Sequence, residues 1–591
     1  MRQSGVCRSL DKIWEAVEMK TVLKYLKPFY RRMTLGFVIK VLGTLAELML
    51  PYILSYILAD AIRRELGDIL GWGALMIVFT VLSCVFHVIA NRMAARVSRD
   101  FAEAMRRDLF IRTLRLSAGQ TDRFTIPSLE SRITSDTYHI HNFINMIQRM
   151  GVRAPIMLFG GIGITLIMDA YLSLVMIAVL PLIFVTVYFI SKKGVPLYKK
   201  VQNSVDGMIR VVREDVQGIR VIKALSKTDY EHRRYDTVNR ALIGDEIRAG
   251  VTMGGVNPVM TMLMNVGSAL VIGISASRIS VGSSKPETVI AFMQYFTQVS
   301  MAMMTVTRMF MMYTKCAASA GRIAEVINAG EEIRVESKAE FPDKDTDSHI
   351  LFDNIDFSYR GKKNNLTNIS FSTKKGSSVG IIGATGSGKS TVIRLLLRFY
   401  DADSGGIYIN GENIRTIEKD RLYKMFGSAM QYDFLYADTV EENISFGRDI
   451  PHKDIERAAK IAQAHDFISA FPEGYGHLLS PHGTNISGGQ KQRVLISRAI
   501  AAKPEILILD DSSSALDYKT DAALRKALAE NLTDTTVITV AQRVSSVKDC
   551  DLILVLDEGK VIGCGTHEHL LENCEEYREI SESQMGGAFV E

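Results

Sequence analysis

Cysteine is scarce in this chain of 591 residues, and its six cysteines are scattered. Because no two of them form a C-x-x-C pair, neither a zinc site nor a disulfide framework is indicated. A large charge excess is also missing: the net charge of +5 is small for this length, so the composition does not favour a nucleic-acid-binding protein. No low-complexity tract or short-period repeat is present, and no apolar segment precedes Met33, so we expect no signal peptide.

The hydrophobic residues are distributed differently in the two halves of the chain. A chain this long exceeds the size of one compact core, so several domains are expected. The first half carries long apolar runs separated by basic stretches, whereas the second half alternates in the manner of a soluble α/β domain. We therefore predict a membrane domain at 1–328, a polar linker at 329–349, and an α/β domain at 350–591.

Six segments of the first half are apolar enough to cross a bilayer, which takes about 20 residues. They are 33–58, 69–90, 144–168, 171–190, 254–277 and 287–313. The connections at 91–143 and 191–253 are long and charged, and the others are short. The stretch just before the first segment is basic, with Lys20, Lys24, Lys27, Arg31 and Arg32. The positive-inside rule therefore puts the N-terminus, both long loops and the α/β domain in the cytoplasm of a multi-pass protein of the plasma membrane.

Ionisable side chains fall within these apolar segments. Glu47 lies deep in the first one, where a carboxylate is costly. It therefore either faces a cavity that takes cationic substrates or pairs with a neighbouring helix. Lys40, Arg149 and Arg153 are expected to extend toward the cytosolic surface. His87 is expected to join two helices.

The last apolar segment is rich in methionine. Methionine is flexible and polarizable, so this stretch suits either an adaptable binding surface or simple packing. Gln294 and Gln298 lie one helical turn apart, and they either line a path or bridge helices.

A phosphate-binding loop is predicted near the start of the α/β domain. The sequence after an apolar strand fits G-x-x-x-x-G-K-[ST], and its residues are Gly383, Ala384, Thr385, Gly386, Ser387, Gly388, Lys389 and Ser390, with Thr391 following in the predicted helix. In such a loop, backbone N–H groups converge on phosphate oxygens at a helix N-terminus. Lys389 would contact the β- and γ-phosphates of ATP, and Ser390 would supply a hydroxyl to Mg²⁺.

Two further apolar strands lead to candidate catalytic residues. The strand at 506–510 ends in Asp510, a carboxylate directed at Mg²⁺, and the next residue, Asp511, stands where a general base is expected. The strand at 537–540 leads to Gln542. The chain is therefore predicted to hold ATP well and to cleave it poorly by itself.

A second glycine-rich loop also opens a helix. It comprises Ser487, Gly488, Gly489 and Gln490. With this loop the sequence resembles the ATP-binding cassette (ABC) family, whose signature is L-S-G-G-Q, although Ile486 replaces the leucine. Tyr359 matches the aromatic residue that stacks on adenine, Gln431 matches the Q-loop, and 514–517 matches the D-loop. The resemblance covers 351–580.

The resemblance implies an architecture and an assembly. Six spans followed by a cassette resemble a half-transporter of the exporter type, and two such chains make a full pore. The two cassettes would meet head to tail, so that each ATP lies between the phosphate loop of one subunit and the signature loop of the other. Gln431 would then contribute to the magnesium site and to catalysis. Short coupling helices are expected near 126–133 and 218–225.

Two departures from the family pattern fall on the same site. The family has Glu where this chain has Asp511 and His where it has Gln542. Asp is one methylene shorter than Glu, which moves the carboxylate by about 1.5 Å. A displacement on the order of 1 Å can cost about a hundredfold in rate, and glutamine cannot become cationic. Alternatively, both changes are neutral and activity is intact.

These features lead us to expect one subunit of a heterodimer, similar to bacterial multidrug exporters. Its own ATP site would be slow, and its signature loop would complete an active site of a second half-transporter. ATP, Mg²⁺, the lipid bilayer and hydrophobic or amphipathic substrates are the expected ligands and partners. A lipid or peptide exporter, a metal-chelate importer of the same fold and a regulatory subunit stay open as alternatives. Six apolar segments argue against a soluble cassette protein.

Overall fold

The computed structural model describes residues 20–63, 66–282, 285–331, 333–359, 361, 364–431 and 433–585. The N-terminal residues that bear on a signal peptide lie outside this range. The described residues form two compact units. One contains the chain up to Arg115 and Thr125–Ala329, and the other contains Leu116–Phe124 and the chain from Gly330 onward.

The first unit is helical. After a short 3-10 helix at Lys24–Phe29, the helices in chain order are α1 (Tyr30–Arg63), α2 (Leu66–Leu114), α3 (Ala118–Phe124, in the second unit), α4 (Ile126–Ser131), α5 (Thr137–Met168), α6 (Ala170–Gln217), α7 (Ile219–Ala224), α8 (Thr228–Gly254), α9 (Val256–Ser280) and α10 (Pro286–Ile327). Prolines inside α1, α5 and α6 leave these helices unbroken, as membrane helices tolerate.

Among the described residues, five helical stretches are long and apolar enough to cross a membrane. They are Lys20–Ile62, Leu66–Leu114, Ile126–Met168, Thr228–Ser280 and Pro286–Val306. The fourth predicted span corresponds to a shorter apolar stretch, Ala170–Thr186, at the start of α6. The predicted fold class, a helical membrane domain followed by an α/β domain, is confirmed.

Asp169 forms the tight turn between α5 and α6. Its carboxylate accepts hydrogen bonds from the N–H groups of Tyr171, at 3.0 Å, and Leu172, at 3.3 Å, and so caps α6. Arg278, at the end of α9, lies 3.5 Å from the same carboxylate and over the ring of Tyr171. This single aspartate therefore fixes the turn and anchors a third helix to it.

A buried carboxylate joins α10 to the segment before α5. Asp136 is 1% exposed and ends a π-helical turn at Arg132–Asp136. It accepts from Ser319 Oγ at 2.9 Å and from Arg322 Nε at 2.8 Å, and a second Arg322 nitrogen also donates to it. Because the carboxylate is charged and out of water, its stability depends on these donors.

The second unit contains two sheets. The strands are β1 (Ile350–Phe357), β2 (Leu366–Thr373), β3 (Ser378–Gly383), β4 (Ser404–Ile409), β5 (Glu412–Asn413), β6 (Phe426–Ala429), β7 (Ile506–Asp510), β8 (Thr536–Val540), β9 (Leu552–Asp557) and β10 (Lys560–Gly565). The antiparallel sheet has the order β2-β1-β4-β5, and the larger sheet has the order β10-β9-β3-β8-β7-β6. In the larger sheet only β10 runs antiparallel to its neighbour.

Helices complete the second unit. They are α11 (Lys389–Leu396), α12 (Lys419–Lys424), α13 (Val440–Ser445), α14 (His452–Ile461), α15 (His465–Ser469), α16 (Gly488–Ala501), α17 (Tyr518–Asn531), α18 (His567–Asn573) and α19 (Glu575–Met585). Short 3-10 turns lie at Gly474–Gly476, Pro481–Gly483 and Val544–Ser546. Buried residues of β7 are divided between two hydrophobic clusters, because its side chains alternate between the two faces of the sheet.

The parallel sheet aligns the ends of four strands. Ile381 of β3 pairs with Val540 of β8, Val540 pairs with Asp510 of β7, and Leu509 pairs with Ala429 of β6. All four strands therefore end at one edge, and the segments that follow them meet there. Ligands of open parallel sheets bind at this carboxyl edge.

Residues Leu116–Phe124 pack with the second unit rather than with the first. In this segment the Asp122 carboxylate accepts from the Tyr400 hydroxyl at 2.6 Å, and the Gln120 side-chain amide donates to the Gly330 carbonyl at 2.6 Å. The first coupling helix expected near 126–133 corresponds to α4, which belongs to the first unit, and its docking role stays a prediction.

We predict that Asp136→Asn destabilises the first unit. The substitution removes the charge that Arg322 and Ser319 surround, and we expect it to lower the free energy of unfolding by about 2 kcal/mol. Asp236→Asn is the control, since Asp236 forms an exposed pair with Arg240 at 3.2 Å and should change stability by less than about 0.5 kcal/mol. Thermal unfolding of the purified full chain in detergent measures both. Equal midpoints would show that the buried network contributes nothing.

Candidate nucleotide-binding site

The loop 383–388 connects β3 directly to α11. Its conformation requires glycine at two positions in particular. A Cβ on Gly383 would lie 2.0 Å from the carbonyl oxygen of Leu556, and Gly386 has a φ of +88°. The N–H groups of this loop and of the first turn of α11 are thereby available to an anion at the helix N-terminus.

Lys389 folds back over this loop. Its Nζ donates to the carbonyl oxygens of Gly383 and Ala384, at 2.8 Å each. Burial lowers the pKa of its ammonium group, and Asp510 and Asp511 partly oppose that shift. The cation is therefore held by neutral carbonyls at the place where phosphate oxygens are expected.

The Ser387 hydroxyl is a further sign that the loop fits an anion. Ser387 is 4% exposed, and its Oγ has no hydrogen-bond partner among the described residues. A buried hydroxyl without a partner costs free energy, and a phosphate oxygen in the loop would remove that cost. The loop residues present thus fit a bound nucleotide.

Asp510 and Ser390 form the candidate magnesium site. Asp510 ends the fully buried strand β7 and is 3% exposed. The Ser390 hydroxyl lies 3.5 Å from its Oδ1. Burial raises the pKa of Asp510, and the neighbouring charge of Asp511 adds to the shift. A carboxylate and a hydroxyl are hard oxygen donors of the type that Mg²⁺ prefers.

Asp511 stands between two amides. It has a positive φ of 50°, and its Oδ2 accepts from Gln431 Nε2 at 3.1 Å and from Gln542 Nε2 at 3.2 Å. Burial raises the pKa of Asp511, while the two amides and nearby cations lower it. The three predicted catalytic side chains are therefore brought together on one carboxylate oxygen.

One cavity of about 210 Å³ unites these groups. Its lining includes six predicted loop and helix residues, namely Thr385, Gly386, Gly388, Lys389, Ser390 and Thr391, and the four predicted residues Gln431, Asp510, Asp511 and Gln542. Asn365, Val540 and Ala541 also line it; Val540 ends the predicted strand at 537–540, whereas Asn365 and Ala541 belong to no motif that the sequence analysis used.

Tyr359 lies beside this cavity rather than in its lining. Its hydroxyl donates to Thr391 Oγ1 at 3.3 Å and accepts from Arg394 at 3.2 Å. Its ring makes T-shaped contacts with Phe357 and Tyr400, with centroids 4.8 and 5.1 Å apart. The residue is 36% exposed, so part of it is open to a ligand.

The signature loop lies apart from the cavity. Ser487 and Gln490 form a capping box at the start of α16: Ser487 Oγ accepts from the Gln490 N–H at 3.3 Å, and Gln490 Oε1 accepts from the Ser487 N–H at 2.9 Å. Arg493 braces the loop by donating to the Gly489 carbonyl at 3.2 Å. Ser487, Gly488, Gly489 and Gln490 do not line the 210 Å³ cavity, so the structure does not unite the two predicted anion-binding loops.

Gln584 was missed by the sequence analysis. From α19 it accepts from the Val544 N–H at 2.8 Å and donates to the Gln542 carbonyl at 2.9 Å. This side chain thus clips the backbone of the loop that carries Gln542. No motif marks it, because a single polar residue near the end of a polar helix has no distinctive pattern.

The membrane unit contains a second, larger cavity of about 630 Å³ between α5 and α10. Four methionines line it, namely Met150, Met157, Met293 and Met301, together with Gln294 and Gln298. Met303 and Met304 instead pack against a small buried cluster. In the methionine-rich stretch, Met301 therefore lines the cavity, whereas Met303 and Met304 contribute to packing.

Models of two known families match the chain. The one described as ABC transporter transmembrane region matches residues 33–303, and the one described as ABC transporter matches residues 366–514. Both matches agree with the order of the two units.

Curated relatives match nearly the whole chain. "Uncharacterized ABC transporter ATP-binding protein YfiB" of Bacillus subtilis is 34% identical over 571 residues, which cover 96% of this chain and 99% of that protein. An uncharacterized ABC transporter ATP-binding protein of Mycobacterium tuberculosis is 31% identical over 573 residues, which cover 96% and 98%. A solved structure, described as that of a bacterial Atm1-family ABC exporter with ATP bound, has a TM-score of 0.79 at 24% identity and covers 94% of this chain and 99% of that one. At that identity the likeness concerns the fold.

We predict that the ring of Tyr359, and not its hydroxyl, contributes to nucleotide affinity. Tyr359→Ala should weaken ATP binding about tenfold or more, because a base stacked on an aromatic ring gains about 1–3 kcal/mol. Tyr359→Phe removes the bonds to Thr391 and Arg394 but keeps the ring, so its affinity should stay within about threefold of the parent. Equilibrium binding of a fluorescent ATP analogue to the full chain measures both. An equal loss in the two variants would contradict the stacking role.

Proposed function

Because this chain belongs to the ABC transporter family and has the fold of its exporters, we propose that it is one subunit of a heterodimeric exporter of hydrophobic or amphipathic compounds. Its own ATP site is slow, and its signature loop completes the fast site of a different half-transporter. The observation that carries the proposal is the separation of the two loops within one subunit, together with Asp511 and Gln542 at the slow site.

The separation of the loops supports dimerisation. The loop 383–388 and Lys389 gather donors on one side of the site, and the signature loop of the same chain does not line this cavity. The N-terminus of α16 at Ser487 offers such donors on a different surface. Two cassettes arranged head to tail bring each loop to the other's nucleotide, and ATP then holds the dimer closed.

The composition of the site supports slow hydrolysis. A general base must reach the attacking water, and loss of a positioned base costs about 10²–10⁴ in rate. Asp511 is shorter than the usual Glu, and its Oδ2 is already bonded to Gln431 and Gln542. Gln542 donates a neutral hydrogen bond where the family has a histidine. Each change weakens the stabilisation of charge in the transition state.

Asp510, Ser390 and Gln431 would hold Mg²⁺ in the loaded site. When bound, the ion neutralises charge on the phosphate oxygens. Lys389 orients the phosphates by exchanging its two carbonyl partners for phosphate oxygens. Tyr359 positions the base, and Asp511 and Gln542 keep their bond to each other, so the site favours retention of ATP over cleavage.

The experiment compares two substitutions in the purified heterodimer, whose second subunit is expected to carry Glu and His at the positions of Asp511 and Gln542. Ser487→Ala should lower the ATP hydrolysis rate about 10²-fold, because it damages an anion site of the fast pocket. Asp511→Asn should lower the rate less than about twofold, because the slow pocket contributes little. Thr484→Ala is the matched control, since Thr484 is exposed three residues before the loop.

Each other outcome contradicts the proposal. If both substitutions lower the rate equally, the two pockets are equivalent. If Ser487→Ala leaves hydrolysis unchanged, the chain is a regulatory subunit that binds ATP without completing a catalytic site. ATP-dependent accumulation of a fluorescent amphipath in inverted proteoliposomes tests export itself, and its absence with full ATP hydrolysis would reject the substrate class.

A further inference from the structure

Arg153 is the only ionisable residue in the lining of the 630 Å³ cavity among the residues that the structure describes. The other lining side chains are methionines, alanines, one isoleucine, threonines and the amides of Gln294 and Gln298. Methionine side chains adapt to irregular apolar surfaces. The cavity therefore combines an adaptable apolar wall with one cationic group.

Glu47 holds this arginine without occupying all its donors. Arg153 Nε donates to Glu47 Oε2 at 3.1 Å, and Nη2 donates to the other oxygen. Guanidinium has five N–H donors, and Nη1 has no hydrogen-bond partner among the described residues. The side chain is 48% exposed, so Nη1 is free to contact a ligand.

Glu47 itself is poorly placed to bind a cation. Its Oε2 also lies 3.0 Å from His87 Nε2, so both carboxylate oxygens are engaged, and Glu47 does not line the cavity. Of the two alternatives that its position left open, helix pairing is therefore the one that the structure supports, since Glu47 joins α1 to α2 and α5.

The surroundings carry an excess of positive charge. Lys40 is 4% exposed and donates to the neutral Asn91 amide at 3.1 Å, so it does not extend to the surface as expected. It interacts electrostatically with Arg149, Arg153 and Glu47. Lys40, Arg149 and Arg153 thus outnumber the single carboxylate of Glu47, with which Lys40 and Arg153 interact.

We propose that this cavity binds amphipathic compounds with an acidic head group, whose anion pairs with Arg153 while the apolar part lies against the methionines. A carboxylate or phosphate accepts two parallel hydrogen bonds from a guanidinium, which gives geometric specificity as well as affinity. The inference rests on the proposed exporter function and narrows its substrate class from amphipaths in general to anionic ones.

The test uses two fluorescent probes of equal length in the purified full chain in phosphatidylcholine nanodiscs: 11-(dansylamino)undecanoate and the analogue that ends in trimethylammonium. We expect the acid to bind about tenfold more tightly or better. The variant Glu47→Gln/Arg153→Gln replaces both charges by amides and should abolish the preference. Lys315→Gln is the control, because Lys315 is exposed on α10 outside the cavity, and it should keep the preference.

Three results of the probe-binding experiment would overturn the proposal. Equal binding of both probes, or a preference for the cation, overturns the proposal, and so does a preference that survives in the double variant. If the double variant fails to fold, as judged by gel filtration, Arg153→Gln replaces it and should lose the preference for the acid, since the charge that pairs with the anion is then absent.

Adding phosphatidylglycerol to the nanodisc distinguishes two anionic occupants. If this lipid competes with the acid probe, the occupant is a membrane lipid; if it does not compete, the occupant is a free anionic amphipath. Probe binding requires neither a second subunit nor ATP hydrolysis. Failure of the heterodimer hypothesis would therefore leave a charge preference intact, whereas failure of this inference would leave the ATP hydrolysis results intact.

Discussion

The register of the parallel sheet is the constraint on which the nucleotide site depends. Because β3, β8, β7 and β6 are aligned residue by residue, their carboxyl ends bring the loop 383–388, Gln542, the pair Asp510–Asp511 and Gln431 to one cavity, although these residues are up to 159 positions apart in the chain. A slip of one residue in β7 would turn Asp510 to the opposite face. The buried strand β7 therefore fixes the position of Asp510 in the nucleotide site.

A few side chains at this edge of the sheet determine the catalytic properties of the site. The Asp511 carboxylate accepts hydrogen bonds from Gln431 and Gln542. These bonds agree with the proposal that Asp511 is a weak general base. Gln584 fixes the backbone on either side of Arg543 and thereby the position of Gln542. The capping box preorganises the signature loop, which does not line this cavity. In the asymmetric assembly that we propose, this loop binds the nucleotide of the second subunit instead.

Much of this arrangement could be predicted from the sequence, because the residues concerned have local patterns. The phosphate loop, the buried strand before Asp510 and the apolar helices each follow from spacing and hydrophobicity. Contacts between distant elements could not be predicted in this way. The pairing of Glu47 with a neighbouring helix was one of two open alternatives, and the burial of Lys40 was unexpected. No pattern in the sequence marks Gln584, whose contacts join two segments that are far apart in the chain.

The most direct test of unequal ATP sites is the fate of bound nucleotide in the assembled transporter. The complex is loaded with γ-³²P-labelled ATP, chased with unlabelled ATP, and the nucleotide that stays bound is crosslinked and assigned to each subunit. We expect intact labelled ATP on the phosphate loop of this chain after the other site has turned over many times. Loss of label from both sites at the same rate would contradict the account.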